Sequence, residues 1–268
     1  MPFFTTHDGC RIYFEDKDAG APARPAVVFL NGTSQTAVNW TAIANSLQGD
    51  FRTLAYDARA QGRSDMGALA PSLTAHCMDL HDLLEHREIR RAHLVGLSHG
   101  AHVALAFAAR YPRAADRLIL CSIGAKPSCR AVLARRTWLE IVANQGVEAM
   151  ARAALPLVFG EKFLYRNRTM LEKIVQAIAM RNRKENLIAH LEAMAGDDMP
   201  ARIAPSVHGP VLVLSGADDP MVQAEGAREL AQLCSGRHIL LPDAGHSLPS
   251  EVPEVFTAMV RNFLQLTT

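Results

Sequence analysis

A serine, a pair of aspartates and a histidine, each set in a glycine- or proline-marked turn just after an apolar run, are the residues here that could do covalent chemistry. Ser98 lies in Gly96-Leu97-Ser98-His99-Gly100, between the apolar run Ala92-His93-Leu94-Val95 and the alanine-rich run 101–110. A strand that turns sharply through a serine into a helix lifts the hydroxyl to the top of a sheet and aims the helix's free N–H groups at whatever it attacks. The two glycines read as places too tight for a Cβ, where a left-handed or strained backbone costs least. A serine hydroxyl is a poor nucleophile near neutral pH, so it needs a base, and the base needs an orienting acid. Asp218-Asp219-Pro220 follows the run ending at Leu214, and Ala244-Gly245-His246 follows the run ending at Leu241. Reactive groups of a parallel sheet gather at the carboxyl ends of its strands, where these three turns would meet.

The elements that must position them read as an alternating series. Phe3 to Thr5 and Arg11 to Glu15 flank Asp8-Gly9 as an opening hairpin, and Ala26 to Leu30 is a continuous β-rich run ending at Asn31-Gly32. Helical spacing over 40–47, a strand over 52–56, a helix over 72–88, a strand over 91–95, a helix over 99–110 and a strand over 118–122 follow. From 123 to 206 only helical periodicity occurs. Strand 211–214, a helix near 223–233, strand 237–241 and a helix near 253–266 complete the chain. The expectation is an α/β fold, with a mostly parallel sheet flanked by helices. Residues 1–122 and 207–268 would form its core domain, and 123–206 an inserted all-helical cap.

Composition narrows the function classes. Of 268 residues 49% are hydrophobic and 21% charged, which are the proportions of a folded globule, and the formal net charge of +1 offers no general attraction for nucleic acid or an anionic membrane. Five cysteines with no C-x-x-C pair indicate neither a disulfide framework nor a zinc site. No leader-like segment opens the sequence and no apolar run is long enough to span a bilayer, so a cytoplasmic location is expected. No H-E-x-x-H, G-x-G-x-x-G or P-loop is present, and no metal or cofactor is expected. Of eleven histidines, most of the ten besides His246 read as solvated or core residues. His76, His81 and His86 recur every five positions, which turns successive side chains by about 140° and disperses them around a helix.

Taken together, these turns resemble those of the α/β-hydrolase fold family over nearly the whole chain. Gly96-Leu97-Ser98-His99-Gly100 is similar to its nucleophile elbow, and Asn31-Gly32-Thr33 to its oxyanion turn, with Asn where His is usual. Asp57-Ala58-Arg59-Ala60-Gln61-Gly62-Arg63-Ser64-Asp65 resembles its D-x-R-G-x-G-x-S-D loop, with Ala60 in place of glycine. Gly216-Ala217-Asp218-Asp219-Pro220 and Ala244-Gly245-His246 resemble its acid and histidine turns. The resemblance implies Ser98 as nucleophile, His246 as base and Asp219, three residues after the glycine, as orienting acid, with Asp218 the alternative. It also implies an oxyanion hole from the backbone N–H groups of Thr33 and His99. His99 departs from the Met or Gln usual there; its imidazole either reaches the floor of the site or only packs, and packing is the expected role. Asn31 is expected to hydrogen-bond the oxyanion loop more than to touch substrate. Arg59 and Arg63 are expected to tie their loop together by ion pairs with Asp57 and Asp65.

The resemblance implies a hydrolase that needs no cofactor and cleaves a carboxylic ester, thioester or lactone through an acyl-enzyme. The alternative is acyl transfer to an alcohol or thiol, since Asn31-Gly32-Thr33 with Gln35-Thr36 distantly resembles a turn of bacterial hydroxyacyl-transfer relatives. A ligand-binding receptor or a lyase on the same fold stands behind these. Asn31, Gly32 and Trp138 are the candidate contacts for an apolar or acyl small-molecule substrate. Trp138, Met150, Leu157, Phe159, Phe163, Met170, Met180 and Met194 would either line the pocket or fill the cap's own core. The segment 123–206 carries thirteen Lys or Arg against eight Asp or Glu. That face is either a solvated surface or a dock for an acidic acyl carrier.

Overall fold

The computed structural model describes residues 2–17 and 24–266. Among the described residues, eight strands form one sheet in the order β1-β2-β4-β3-β5-β6-β7-β8. They are β1 (Phe3–Thr5), β2 (Arg11–Lys17), β3 (Ala26–Leu30), β4 (Arg52–Tyr56), β5 (Ala92–Leu97), β6 (Ala115–Cys121), β7 (Val211–Gly216) and β8 (Arg237–Leu241). β2 runs antiparallel to both β1 and β4, and every pairing from β4 to β8 is parallel. The hairpin and the parallel series are those the alternation predicts. Two strands run longer than their apolar cores: pairing with β6 carries β5 on to Leu97, and pairing with β5 starts β6 at Ala115. Ladder hydrogen bonds, not hydrophobicity, set those ends.

Helices cover both faces, which is why β3, β5 and β7 are buried at every residue. Val28, Leu30, Leu94, Leu118, Leu120 and Val213 pack toward α2 (Leu73–His86), α3 (His99–Arg110) and α10 (Ala224–Leu233). Their neighbours Val27, Phe29, Val95, Ile119, Leu212 and Leu214 pack toward α1 (Thr41–Leu47) and α12 (Pro253–Leu264). This period-2 division makes two apolar layers, each such side chain contributing about 1.5–3 kcal/mol. Ser72 caps α2 by accepting from the Ala75 N–H at 3.3 Å.

Between β6 and β7 the described chain is helical: α4 (Cys129–Gln145), α5 (Val147–Val158), α6 (Glu161–Arg166), α7 (Leu171–Arg181), α8 (Lys184–Ala193) and α9 (Pro200–Ile203), with one 3-10 turn over Ala204–Ser206. α11 (Leu248–Glu251) is a single turn before α12. Val142, Val147, Met150, Leu187 and Leu191 make one apolar cluster of this segment, and Ala151, Leu155 and Val175 another. Trp138 and Met194 pack against the first, and Phe159 stacks on Phe163 at 4.3 Å. Met170 and Met180 lie exposed. Several of the segment's cations are engaged within the protein. Arg135 donates to the Leu191 carbonyl, Arg152 bridges Glu148 and Glu172, and Lys162 pairs with Asp243.

Candidate active site

Ser98 stands between β5 and α3 at φ 54°, ψ −117°, a left-handed conformation that a side chain adopts only when its surroundings force it. The forcing comes from backbone packing on either side. A Cβ on Gly96 would stand 2.4 Å from the Gly100 carbonyl oxygen, and one on Gly100 would stand 2.3 Å from the Leu30 carbonyl oxygen. Neither glycine has a positive φ, so the strain sits on the serine and the glycines supply close approach, a division the sequence leaves open. The Ser98 N–H donates to the Cys121 carbonyl at 2.8 Å, and the residue is only partly buried.

The same sheet edge carries the other turns. The Ser122 N–H donates to the Leu214 carbonyl at 2.8 Å, and the Ser122 hydroxyl donates to the His246 carbonyl at 2.7 Å. His246 Nδ1 lies 2.7 Å from Asp219 Oδ2, with both side chains buried. Asp219 Oδ1 accepts the Met221 and Val222 N–H groups at 2.8 and 3.0 Å, which fixes the plane of the carboxylate. Asp219, not Asp218, is thus the acid beside the imidazole.

Asn31 and Gly32 begin the turn after β3. The Asn31 amide donates to the Tyr56 carbonyl at 2.7 Å and accepts from the Trp40 indole at 2.9 Å, and the residue is buried. Its polar atoms are thus engaged by the scaffold, as a loop-holding residue's would be. Gly32 lies against the elbow, since a Cβ there would be 3.3 Å from the Leu97 carbonyl oxygen. Trp138, the third candidate contact, packs into the helical segment's own cluster. Thr33 is partly buried, and its hydroxyl lies 3.2 Å from His190 Nε2. His99 opens α3, so its N–H belongs to the helix's unpaired first turn, while its imidazole is buried among other histidines.

The Asp57–Asp65 loop is structural, but its ion pairs differ from those expected. The fully buried Arg59 guanidinium reaches Asp8 at 2.7 Å and Asp79 at 2.6 Å. It thereby joins the loop to the first hairpin and to α2. Asp57 accepts the N–H groups of Ala37 and Arg63, and the Arg63 guanidinium lies over the Tyr13 ring. Backbone donors crowd Asp57 at the end of β4, so the arginines find their partners elsewhere. Ala60 occupies φ 62°, the conformation for which glycine is the cheaper residue.

Glu251 escaped the sequence reading. Its Oε2 accepts the N–H groups of Gly245 and Gly160 at 2.8 and 2.9 Å, and its Oε1 accepts that of Ser247 at 2.9 Å. A Cβ on Gly245 would stand 2.4 Å from the Gly160 nitrogen, so the glycines let the two turns meet over one carboxylate. Burial pushes the Glu251 carboxyl above its usual range against the opposing pull of those three N–H groups. The only trace in the sequence is a glutamate five residues beyond the histidine, on no motif.

Comparison with known proteins agrees with this architecture. Residues 27–259 match the family model described as "Alpha/beta hydrolase family". The chain is 27% identical over 262 residues, 97% of each chain, to a protein of Caulobacter sp. (strain K31) named "Putative carbamate hydrolase RutD". It is 25% identical over 253 residues, 92% of this chain and 91% of the relative, to 3-oxoadipate enol-lactonase 1 of Acinetobacter baylyi. The crystal structure of the enol-lactonase from Burkholderia xenovorans LB400 superimposes with a TM-score of 0.90 at 27% identity, covering 99% of this chain and 100% of that one.

Proposed function

The chain belongs to the alpha/beta hydrolase family, and we propose that it hydrolyses carboxylic esters or lactones through an acyl-enzyme on Ser98. The observation that carries this reading is the strained serine at φ 54° on the sheet edge that also holds the 2.7 Å His246–Asp219 pair. In this reading His246 Nε2 takes the Ser98 Oγ proton as Oγ bonds to the carbonyl carbon. The Nδ1–H donates to Asp219 Oδ2, which holds the tautomer and stabilises the imidazolium. The backbone N–H groups of His99 and Thr33 receive the developing alkoxide, each worth about 3 kcal/mol of barrier. Collapse returns the proton from His246 to the leaving alkoxide, or to the ring-opened oxygen of a lactone. Water, deprotonated by the same imidazole, then releases the acid and frees Ser98.

The names of the relatives, enol-lactonase and carbamate hydrolase, support acyl-type substrates. Residues 123–206 act as the cap over this edge. Contact between the Gly160 turn and the Gly245 turn, through Glu251, supports that role.

Labelling with a fluorophosphonate probe, alongside an ester and lactone panel of graded acyl length, tests the assignment. Wild type is expected to label and turn over, and Ser98→Ala to do neither while melting at a similar temperature. Folded, active protein that resists the probe refutes it.

A further inference from the structure

Three histidines from three separate helices meet behind the elbow. His76 on α2, His99 on α3 and His190 on α8 are each at least 96% buried, and one ring nitrogen from each lies within 4.8 Å of the others. Their ring centroids are 4.6 Å apart for His99 and His190, 5.1 Å for His76 and His99, and 5.9 Å for His76 and His190. Among the described residues, both nitrogens of His76, Nε2 of His99 and Nδ1 of His190 make no hydrogen bond. Buried imidazole nitrogens in that state are costly, and an unpaired buried polar atom calls for a missing partner such as an ion.

We propose that His76, His99 and His190 form a binding site for a divalent transition cation of the zinc type, stapling the helical segment to the sheet domain. Imidazole nitrogen suits such ions, whereas Mg²⁺ and Ca²⁺ prefer oxygen. Three donors within 4.8 Å of one another hold a central ion at no more than about 2.8 Å from each. The usual Zn–N bond is about 2.0–2.1 Å, so shifts of under about 1 Å complete the site. Asp197 supplies a negative charge beside the three imidazoles: its Oδ2 lies 3.7 Å from His99 Nε2 while its Oδ1 accepts the Leu73 N–H. Surrounding groups orient the His190 ring as metal sites require, since its Nε2 is 3.2 Å from the Thr33 hydroxyl and 3.5 Å from the Gln61 amide. The ion would therefore brace Thr33 and His99, the two proposed oxyanion donors, from behind, without contacting substrate.

Full-length protein freed of metal by a chelator, then titrated with Zn²⁺ and Co²⁺, tests this directly. One equivalent is expected to bind, with visible d–d bands for Co²⁺ and a melting temperature about 5 °C higher at a hundredfold excess over Kd. His76→Asn and His190→Asn are each expected to weaken Zn²⁺ binding at least about tenfold. His81→Ala, which alters the half-buried His81 and Asp82 beside the exposed Glu85, and His246→Ala are expected to leave it unchanged. Absence of stoichiometric binding, or affinity unaltered in both His76→Asn and His190→Asn, overturns the site, as does its loss in His81→Ala or His246→Ala. X-ray absorption on the wild-type zinc form needs no variant. Three imidazoles at about 2.0–2.1 Å support the proposal, and fewer overturn it.

Discussion

His246 and the trio of His76, His99 and His190 are buried to nearly the same degree, with exposures of 7%, 1%, 4% and 0%, yet the structure surrounds them differently. His246 has a carboxylate at 2.7 Å on Nδ1, itself fixed by two backbone N–H groups. Among the described residues, His76 has no hydrogen-bond partner on either nitrogen, and the nearest carboxylate to His99 stands at 3.7 Å. The difference teaches that burial alone does not orient an imidazole, whereas a carboxylate hydrogen-bonded to one ring nitrogen fixes the ring and its tautomer. Where no such acid is positioned, the ring nitrogens are left for another partner.

The largest expected effect tests that contrast directly. His246→Ala should lower kcat/KM for a reactive ester by about 10⁴-fold, the scale seen when a triad member is removed, while His76→Asn should cost less than about tenfold. Parallel steady-state assays on the two variants suffice, and losses of similar size would break the comparison.

A smaller effect is expected at Glu251, which acts by positioning the histidine turn. Glu251→Gln puts an amide N–H₂ against one of three backbone N–H donors. It should cost about 1–3 kcal/mol of stability and roughly tenfold in kcat, with KM nearly unchanged. Urea denaturation and Michaelis kinetics on the same preparation read both. An unchanged kcat in a destabilised protein would reduce Glu251 to a fold residue.

The smallest effect sharpens the comparison at a carboxylate. The Arg59 guanidinium beside Asp8 holds its carboxyl well below the usual range. Because the folded value is depressed, the stabilisation is fully present above the unfolded value near 3.8 and is lost as pH falls below it. The stability gap between wild type and Asp8→Asn, measured by urea denaturation, should therefore narrow from pH 6 to pH 3. A gap that widens toward acid would contradict the pairing.

Much of this was legible along the chain because periodicity is local. Eight strand positions, the helical run between β6 and β7, and the Ser98, Asp219 and His246 turns all follow from apolar patterning and turn residues. The partners of Arg59 were not. Asp57 and Asp65 are its neighbours in sequence, but backbone donors claim Asp57, and the guanidinium reaches Asp8 and Asp79 across the fold. Asn31 could be read as a loop holder, whereas its partners Tyr56 and Trp40 could not. Glu251 carried no signal, since a carboxylate that binds three backbone N–H groups needs no particular neighbours.

The strand-to-helix turn at Ser98 and the turns at Asp219 and His246 were thus legible in the sequence itself, because each is a short-range steric problem in which glycine lets backbone pack against backbone. Tertiary structure alone decided what surrounds them. His76, His81 and His86 do disperse around one helix, as 3.6 residues per turn requires. Folding then turns His76 toward His99 and His190, which other helices bring to it. Sheet order and helix packing set that meeting over long sequence separations, where no periodicity within a single element can report it.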